Sequence, residues 1–490
     1  MSARGQAWLV FGVLWFCYSW VHQQPGWNQN SRLDLLHGIW THHTLRIDAY
    51  HENTGDKSVF AGHYYSDKAP GIVGLALPAF GLAAGVLEAY GLKVDSRLGW
   101  RVSDWVATAG SVGLITALGG VACLAWLRRL VGERAALVTT LAVFLGSAPF
   151  PYATMLFSHA AVMGLLCVAL WAMADDTWLA RMGIGAAGAG ETGGGSAPAG
   201  EARGERTRWV GRYLLAGLSC GLAMASEYPA ALAAGGVLFL AWWVAWRRAL
   251  ILALGAVPPL VGVALYQWAC FGSPLGFGYH HLSNPAFAGM SEGFFGITFP
   301  PRLSAFYLQW ISPERGLLVW TPFYAVGFLG LRALGRRSRV LLWTSVGVVG
   351  LHSVAMAGYY MPDGGAALGP RLLTPMLPFL TLWAAYGLRA WWGAGVFWGT
   401  LSLLLTGLGT LIHAMPGSHL EMPLLTFYLP RLMEGRFVGT VGRALGWPDG
   451  LSVGVVAGVM AAAWVWACWP GGRGGAAQPE GESRGVESAP

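Results

Sequence analysis

The stretch NQNSRLDLLHGIWTHHTLRIDAYHENTGDKSVFAGHYYSDKAPG, Asn28 to Gly71, is the most polar part of a chain that is otherwise largely apolar. It holds five acids (Asp34, Asp48, Glu52, Asp56, Asp67) and five histidines (His37, His42, His43, His51, His63). Of the 490 residues only 11% are charged and 55% are apolar, whereas a soluble domain carries about 25% charged residues. So little polar cover excludes a soluble enzyme, a disordered chain and a nucleic-acid binder. The stretch therefore reads as a loop between membrane spans, in an all-α polytopic chain with apolar residues enough for about a dozen spans of ~20 residues.

Around this loop, thirteen apolar runs are bounded by charges or Pro/Gly clusters between residues 8 and 468. Arginine placement tests whether all of them cross. If the run 70–91 crosses and the N-terminus is cytoplasmic, 10 Lys/Arg lie inside and 21 outside, the reverse of the positive-inside rule. If 70–91 lies in the interface, the count becomes 18 inside and 13 outside, and every short arginine-rich turn is cytoplasmic. That favours about 12 spans (11–13), with 70–91 as a juxtamembrane element and residues 8–21 as a retained first span. The net charge of +7 is then a topology code rather than a sign of a polyanionic partner.

This topology puts four loops outside: 22–102, 271–315, 358–371 and 414–449. The chain divides into an N-terminal module (1–174), a Gly-rich cytoplasmic linker (175–212), the remaining bundle (213–469) and a Gly/Pro/Glu-rich tail (470–490). The linker and the tail are expected to be without fold. All six cysteines fall in apolar stretches with no CxxC pair, so neither a disulfide framework nor a zinc site is implied. Most of the 26 tryptophans read as interfacial belts.

Inside the first loop, Leu33, Leu36 and Trp40 recur at helical spacing, which predicts an amphipathic helix over 31–44 lying on the membrane surface. Tyr64, Tyr65, Asp67, Lys68 and Pro70 stand directly before an apolar run. An acid and a lysine at the water–lipid boundary suit an amphiphile's phosphate head group. Glu227, between Ser226 and Tyr228-Pro229 at the end of an apolar run, is a site candidate because an acid at membrane depth is costly.

Three features resemble one family. Gly62-His63-Tyr64-Tyr65-Ser66-Asp67-Lys68-Ala69-Pro70 is similar to a G-x-x-Y-x-(E/D)-K-P-P motif. The run Arg101 to Tyr152, with Arg128-Arg129 and Ser147-Ala148-Pro149, is similar to the next two spans of the same module. Gly369-Pro370-Arg371-Leu372-Leu373-Thr374-Pro375-Met376-Leu377-Pro378 looks like R-Y-L-L-P-x-x-P at the start of a late span. Together they resemble the lipid-dependent membrane glycosyltransferases of the GT-C fold, nearest the protein O-mannosyltransferases and aminoarabinose transferases of glycosyltransferase family 39 and its relatives.

The resemblance implies a GT-C-like bundle in the plasma (inner) membrane of the cell envelope, with an active site facing the extracytoplasmic side. It implies a polyprenyl-phosphate sugar as donor, a lipid, glycan or protein as acceptor, and inverting transfer. That chemistry needs a carboxylate to deprotonate the acceptor and cations to hold the leaving phosphate. Lys68 and Arg371 are the implied donor-phosphate ligands. Asp67 is implied as the orienting partner of Lys68 or as a metal ligand, with His280 and His281 as further ligands should a divalent metal be used. Tyr65 and His159 join the candidates, His159 where relatives carry a functional acid. One departure stands out: the family's acidic base falls here on Gln29 or Asn30, and an amide takes no proton. Asp48 and Asp34 are the nearest acids to substitute, Asp48 preferred because it lies in the polar turn. The alternatives are a flippase for an amphipathic lipid-linked substrate, and a GT-C-like assembly protein that has lost its base.

Overall fold

The computed structural model describes residues 1–184 and 199–469. Among the described residues six helices are long and apolar enough to cross a membrane: Gly71–Ala89, Arg97–Val131, Trp246–Phe271, Arg339–Ala357, Trp392–Ile412 and Asp449–Cys468. Ser158–Met173 and Ala230–Val244 are apolar but shorter. The first helix, α1 (Ala3–Trp20), has no acid in its first turn and no base in its last. Together these helices make the chain a multi-pass membrane protein.

Small residues set how closely the helices cross. A methyl group on Gly119 would lie 2.2 Å from the Gly164 Cα, and one on Gly387 would lie 2.0 Å from the Val326 carbonyl oxygen. Only glycine permits backbone contact this close, the usual means of packing helices where lipid removes the hydrophobic drive between them.

The helix Arg97–Val131 has 35 residues, about 52 Å at 1.5 Å per residue, with a π turn at Ala109–Gly113. It is longer than a bilayer core is thick, and its two ends have different neighbours. α1 runs beside its second part: Trp15 Nε1 donates to the Ala109 carbonyl, 3.0 Å, and Arg128 donates to Gln6. α3 (Gly71–Ala89) packs instead on Arg97–Gly113. α3 therefore meets the length and apolarity test for a span, against the arginine count, while packing on the first part of the long helix, residues 97–113.

The first loop folds into a compact cap. α2 (Trp27–His42) opens on Gly26, whose N–H donates to the Gln29 side chain at 3.0 Å. It ends at His43, whose φ of +51° is left-handed. The expected surface helix is thus present but starts four residues earlier, and it is not amphipathic. Gln29, Arg32, Asp34 and His37 are as buried as Leu33 and Leu36, because α3 and the loop segments that follow close over its polar side. Next come β2 (Lys57–Phe60) and β3 (His63–Ser66), an antiparallel hairpin pairing Lys57 with Ser66 and Phe60 with His63. Its two-residue turn, Ala61-Gly62, has φ of +50° and +82°, as a tight hairpin turn requires. A short pair, β1 (Val21–His22) with β4 (Gly439–Thr440), ties the first loop to the 414–449 segment.

The linker is shorter than its composition suggests, since Asp176–Arg181 and Ala199–Ser226 are helical. Residues 185–198 of it, and the expected disordered tail from 470, lie outside the described residues.

Candidate functional site

Where the cap meets the bundle there is a cavity of about 490 Å³. Asn28 and Arg32 reach it from α2, Asp56 and Lys68 from either side of the hairpin, and His159 from the first turn of Ser158–Met173. Glu227 comes from the turn after Ala199–Ser226, Tyr359 and Tyr360 from beyond Arg339–Ala357, and Arg371 from the 358–371 loop. Two glycine positions make this convergence possible. A methyl on Gly71 would meet the Ala225 carbonyl carbon at 2.5 Å, so glycine lets the segment after Lys68 close on Glu227. Gly364 and Gly365, each at φ +71°, wrap the loop around the Arg371 side chain.

The charges fall into two groups. Lys68 Nζ stands 3.1 Å from both Asp56 Oδ2 and Asp67 Oδ2. Burial alone would lower the Lys68 ammonium, but Asp56 and Asp67 outweigh it and hold the pKa above its ordinary value. Burial raises the Asp67 carboxyl, against the pull of Lys68, and Asp56 adds to the rise. In the second group Arg32, 2% exposed, donates to Ser158 Oγ at 3.0 Å and to the Asn28 carbonyl at 3.1 Å, with Nη2 3.8 Å from Glu227 Oε1. Ser158 donates to Glu227, and His159 Nδ1 lies 3.7 Å away. Burial works to raise the Glu227 carboxyl, yet His159 and Arg32, with Ser158 and Arg371, hold it below the usual carboxylate range. Arg371 and Arg32 share the ring of Phe157, at 4.9 and 5.8 Å from its centroid. Arg32 Nε and Arg371 Nε are buried without a hydrogen-bond partner. The cavity thus gathers three cations and two carboxylates against the aromatic rings of Tyr279, Tyr359 and Tyr360. Such a set suits a phosphate ester attached to an uncharged polar group.

Of the residues expected from sequence, Lys68, Arg371, His159 and Glu227 line this cavity, and Asp67 stands behind Lys68. The others lie elsewhere. Asp48 is half-exposed, accepting from the Tyr64 N–H at 2.6 Å and paired with His63 Nδ1 at 2.8 Å. Burial works to raise its carboxyl, but the Tyr64 N–H and His63, with Arg46, together hold it below the usual value. Asp34 is fully buried in α2 and accepts from Asn53 Nδ2 at 2.9 Å. Asn30 donates to the Asn53 carbonyl at 2.8 Å, Gln29 Nε2 contacts the Met155 and Met415 sulfurs, and Tyr65 packs on Phe271 at 5.4 Å. The acids on the cavity wall are Asp56 and Glu227 rather than Asp48 and Asp34. His281 is stacked on Phe271, and Asp67 is engaged by Lys68. Among the described residues no three His, Cys, Asp or Glu side chains converge to hold a metal, and neither His280 nor His281 lines the cavity. Sequence reasoning missed Arg32 and Asp56. Asn28 and Arg32, four apart on one helix face, were the available signal.

Asp34 makes a test of its own. Burial pushes its carboxyl up to about 8, against Asn53 and Lys57. An unfolded aspartate ionises near pH 4, so this group's contribution to stability falls as pH rises from about 4 to 8. Asp34→Asn keeps the acceptor for Asn53 and removes that loss. Thermal melts are expected to rise by several degrees at neutral pH, with the gain vanishing near pH 4. A neutral-pH melt below wild type would show instead that the folded protein holds Asp34 ionised.

The fold is the GT-C architecture, which membrane glycosyltransferases share. The chain is similar in structure to ArnT, the aminoarabinose transferase, from Cupriavidus metallidurans in its apo state, at a TM-score of 0.50 and 16% identity over 96% of this chain and 77% of that one. ArnT bound to undecaprenyl phosphate matches at TM-score 0.49 and 16% identity, over 95% and 77%. The oligosaccharyltransferase AglB from Archaeoglobus fulgidus, with an inhibitory peptide and a dolichol-phosphate, matches at 0.41 and 13%, over 95% and 55%. No protein-family model and no curated protein matches the chain.

Proposed function

We propose that the chain is an inverting membrane glycosyltransferase that moves a sugar from a polyprenyl-phosphate donor to a lipid, glycan or protein acceptor at the extracytoplasmic face. The observation that carries this reading is the convergence of Lys68, Arg371 and Arg32 on one cavity that also presents carboxylates. Lys68 and Arg371 bind the donor phosphate, Lys as a compact charge and Arg through its planar fork. Asp56 takes the acceptor hydroxyl proton. The acceptor oxygen bonds to the anomeric carbon as the carbon–oxygen bond to phosphate breaks, and the electron pair leaves on the phosphate, where the cations stabilise it. Glu227 is held by Arg32 and Ser158, whereas Asp56 is paired with Lys68 and is released to the acceptor as Lys68 turns to the donor phosphate. This assignment replaces Asp48 and Asp34, whose partners lie away from the cavity.

The test uses purified protein in nanodiscs with undecaprenyl phosphate and a panel of polyprenyl-phosphate sugars. Undecaprenyl phosphate is expected to raise the melting temperature, and Asp56→Asn to keep that shift while transfer falls by about 10²–10⁴-fold. Full transfer by Asp56→Asn sinks the base assignment. If undecaprenyl phosphate gives no thermal shift and no donor is consumed, the enzyme reading itself is lost. Donor crossing the bilayer unaltered would instead favour the flippase.

A further inference from the structure

Past the end of Trp392–Ile412 the chain forms a second short helical element. Residues Leu424–Tyr428 make a π turn that runs straight into the helix Leu429–Met433. One face packs inward: Tyr428 is fully buried, and Leu424 and Phe427, like Leu405 and Leu408 of the preceding helix, pack against the cluster of Trp320, Leu368, Ile412 and Tyr428. Tyr428 Oη donates to the His413 carbonyl at 2.9 Å. Arg431 lies over the Phe427 ring at 3.6 Å, and Phe427 is 6.0 Å from the ring of His413, which lines the cavity.

The opposite face is apolar and uncovered. Met422, Leu425, Leu429, Leu432 and Met433 are all exposed, Leu425 at 53% and Met433 at 88%, and their spacing of three and four residues puts them on one side of a helix. The hydroxyl on that side, Thr426 Oγ1, donates back to the Met422 carbonyl at 2.9 Å. Apart from Arg431 on the inward face, charges bracket the element along the chain, with Glu421 before it and an ion pair of Arg436 with Glu434, 2.9 Å, after it. Ten residues rise about 15 Å, half of what a bilayer core demands.

We infer that Met422–Met433 is an interfacial helix that docks into the leaflet on the cavity side, with Leu425, Leu429, Leu432 and Met433 among the acyl chains and Arg431 turned toward the cavity rim. The occupant is lipid because the exposed face belongs to an element seated on the end of a membrane-span candidate. The helix rests on the end of Trp392–Ile412, a membrane-span candidate whose own outward side chains, Phe397 and Leu404, are apolar and exposed. An exposed apolar stripe on the side opposite the face that carries Arg431 is the pattern of a helix lying in the interface plane. The placement does not depend on the proposed transfer chemistry.

The test labels Leu425→Cys, Leu429→Cys and Met433→Cys with bimane in a Cys468→Ser background, in nanodiscs of ordinary or chain-brominated phosphatidylcholine. Quenching by brominated lipid is expected to be at least two-fold at all three positions, with little quenching by aqueous iodide, and the reverse at Glu52→Cys. Iodide quenching without bromolipid quenching overturns the inference. So does shielding from both quenchers in discs whose mass shows two copies, which makes the face a contact between chains. The unmodified protein supplies an independent reading should a labelled variant misfold. In nanodiscs Met422 and Met433 are expected to resist sulfoxidation by hydrogen peroxide, and oxidation at the rate of free methionine sinks the proposal.

Discussion

Lys68→Ala is expected to lower sugar transfer by about 10²–10³-fold, the cost of removing one preorganised donor from a developing negative charge, and to destabilise the fold by about 3–5 kcal/mol. Both effects follow from its position. Lys68 is the only cation within 4 Å of Asp56 and Asp67 among the described residues, so its removal leaves two buried carboxylates facing each other. Asp67, whose pKa burial already raises, would take up a proton, and the wall of the cavity would turn from cationic to neutral or acidic. The two effects separate in a second variant. Lys68→Met with Asp67→Asn removes the cation and one of the stranded acids together. Its melting temperature is expected to recover most of the loss while transfer stays down and the undecaprenyl phosphate shift is absent. If transfer recovers with stability, Lys68 acts only as a structural counter-charge and the phosphate is held elsewhere.

The contrast between Asp48 and Asp56 shows how much of this was legible in the sequence. Both acids sit in polar turns of the same loop, and no local pattern distinguishes them. Hairpin register does: pairing Lys57 with Ser66 sets Asp56 beside Asp67 and Lys68, while the far end of the same hairpin gives His63 to Asp48. A register shift of one residue would turn every side chain to the other face, and composition carries no record of register. Membrane character was legible because 55% apolar residues leave no other solvent for the chain. Lys68 and Arg371 were legible because each sits in a short motif with its own punctuation, the hairpin turn Ala61-Gly62 and the glycines around 364–369. The helix Trp27–His42 was visible in its leucine spacing, but its burial on the polar side was not. That depends on α3 and on loop segments beyond the helix, and on Asn53 reaching Asp34.

Glu227 belongs with the features that only tertiary closure explains, and replacing it is expected to have the other large effect. Its carboxylate is the acid nearest Arg32, a guanidinium 2% exposed that holds α2 against the start of Ser158–Met173. Glu227→Ala leaves that charge buried and unpaired, a loss of about 3–5 kcal/mol, expected as a melting temperature lowered by more than 5 °C. The pH dependence has a definite sign. Burial opposes ionisation of Glu227, but His159 and Arg32 with their neighbours hold its folded-state pKa below that of an unfolded glutamate, near 4.3. Its stabilisation is therefore complete above about pH 4.3 and is lost as pH falls through the depressed folded value. Glu227→Gln keeps the acceptor for Ser158 and removes this term, so its melting temperature should change less than wild type's on acidification below about pH 4. Removing both charges, with Arg32→Met and Glu227→Gln, is expected to restore much of the stability, since a buried pair replaced by uncharged groups of similar volume is often neutral. Transfer should stay low in that double variant, because Arg32 is also one of the three cations around the cavity. A double variant that is both stable and fully active would reduce the Arg32–Glu227 pair to a clamp between α2 and the bundle, leaving Lys68 and Arg371 to hold the phosphate without it.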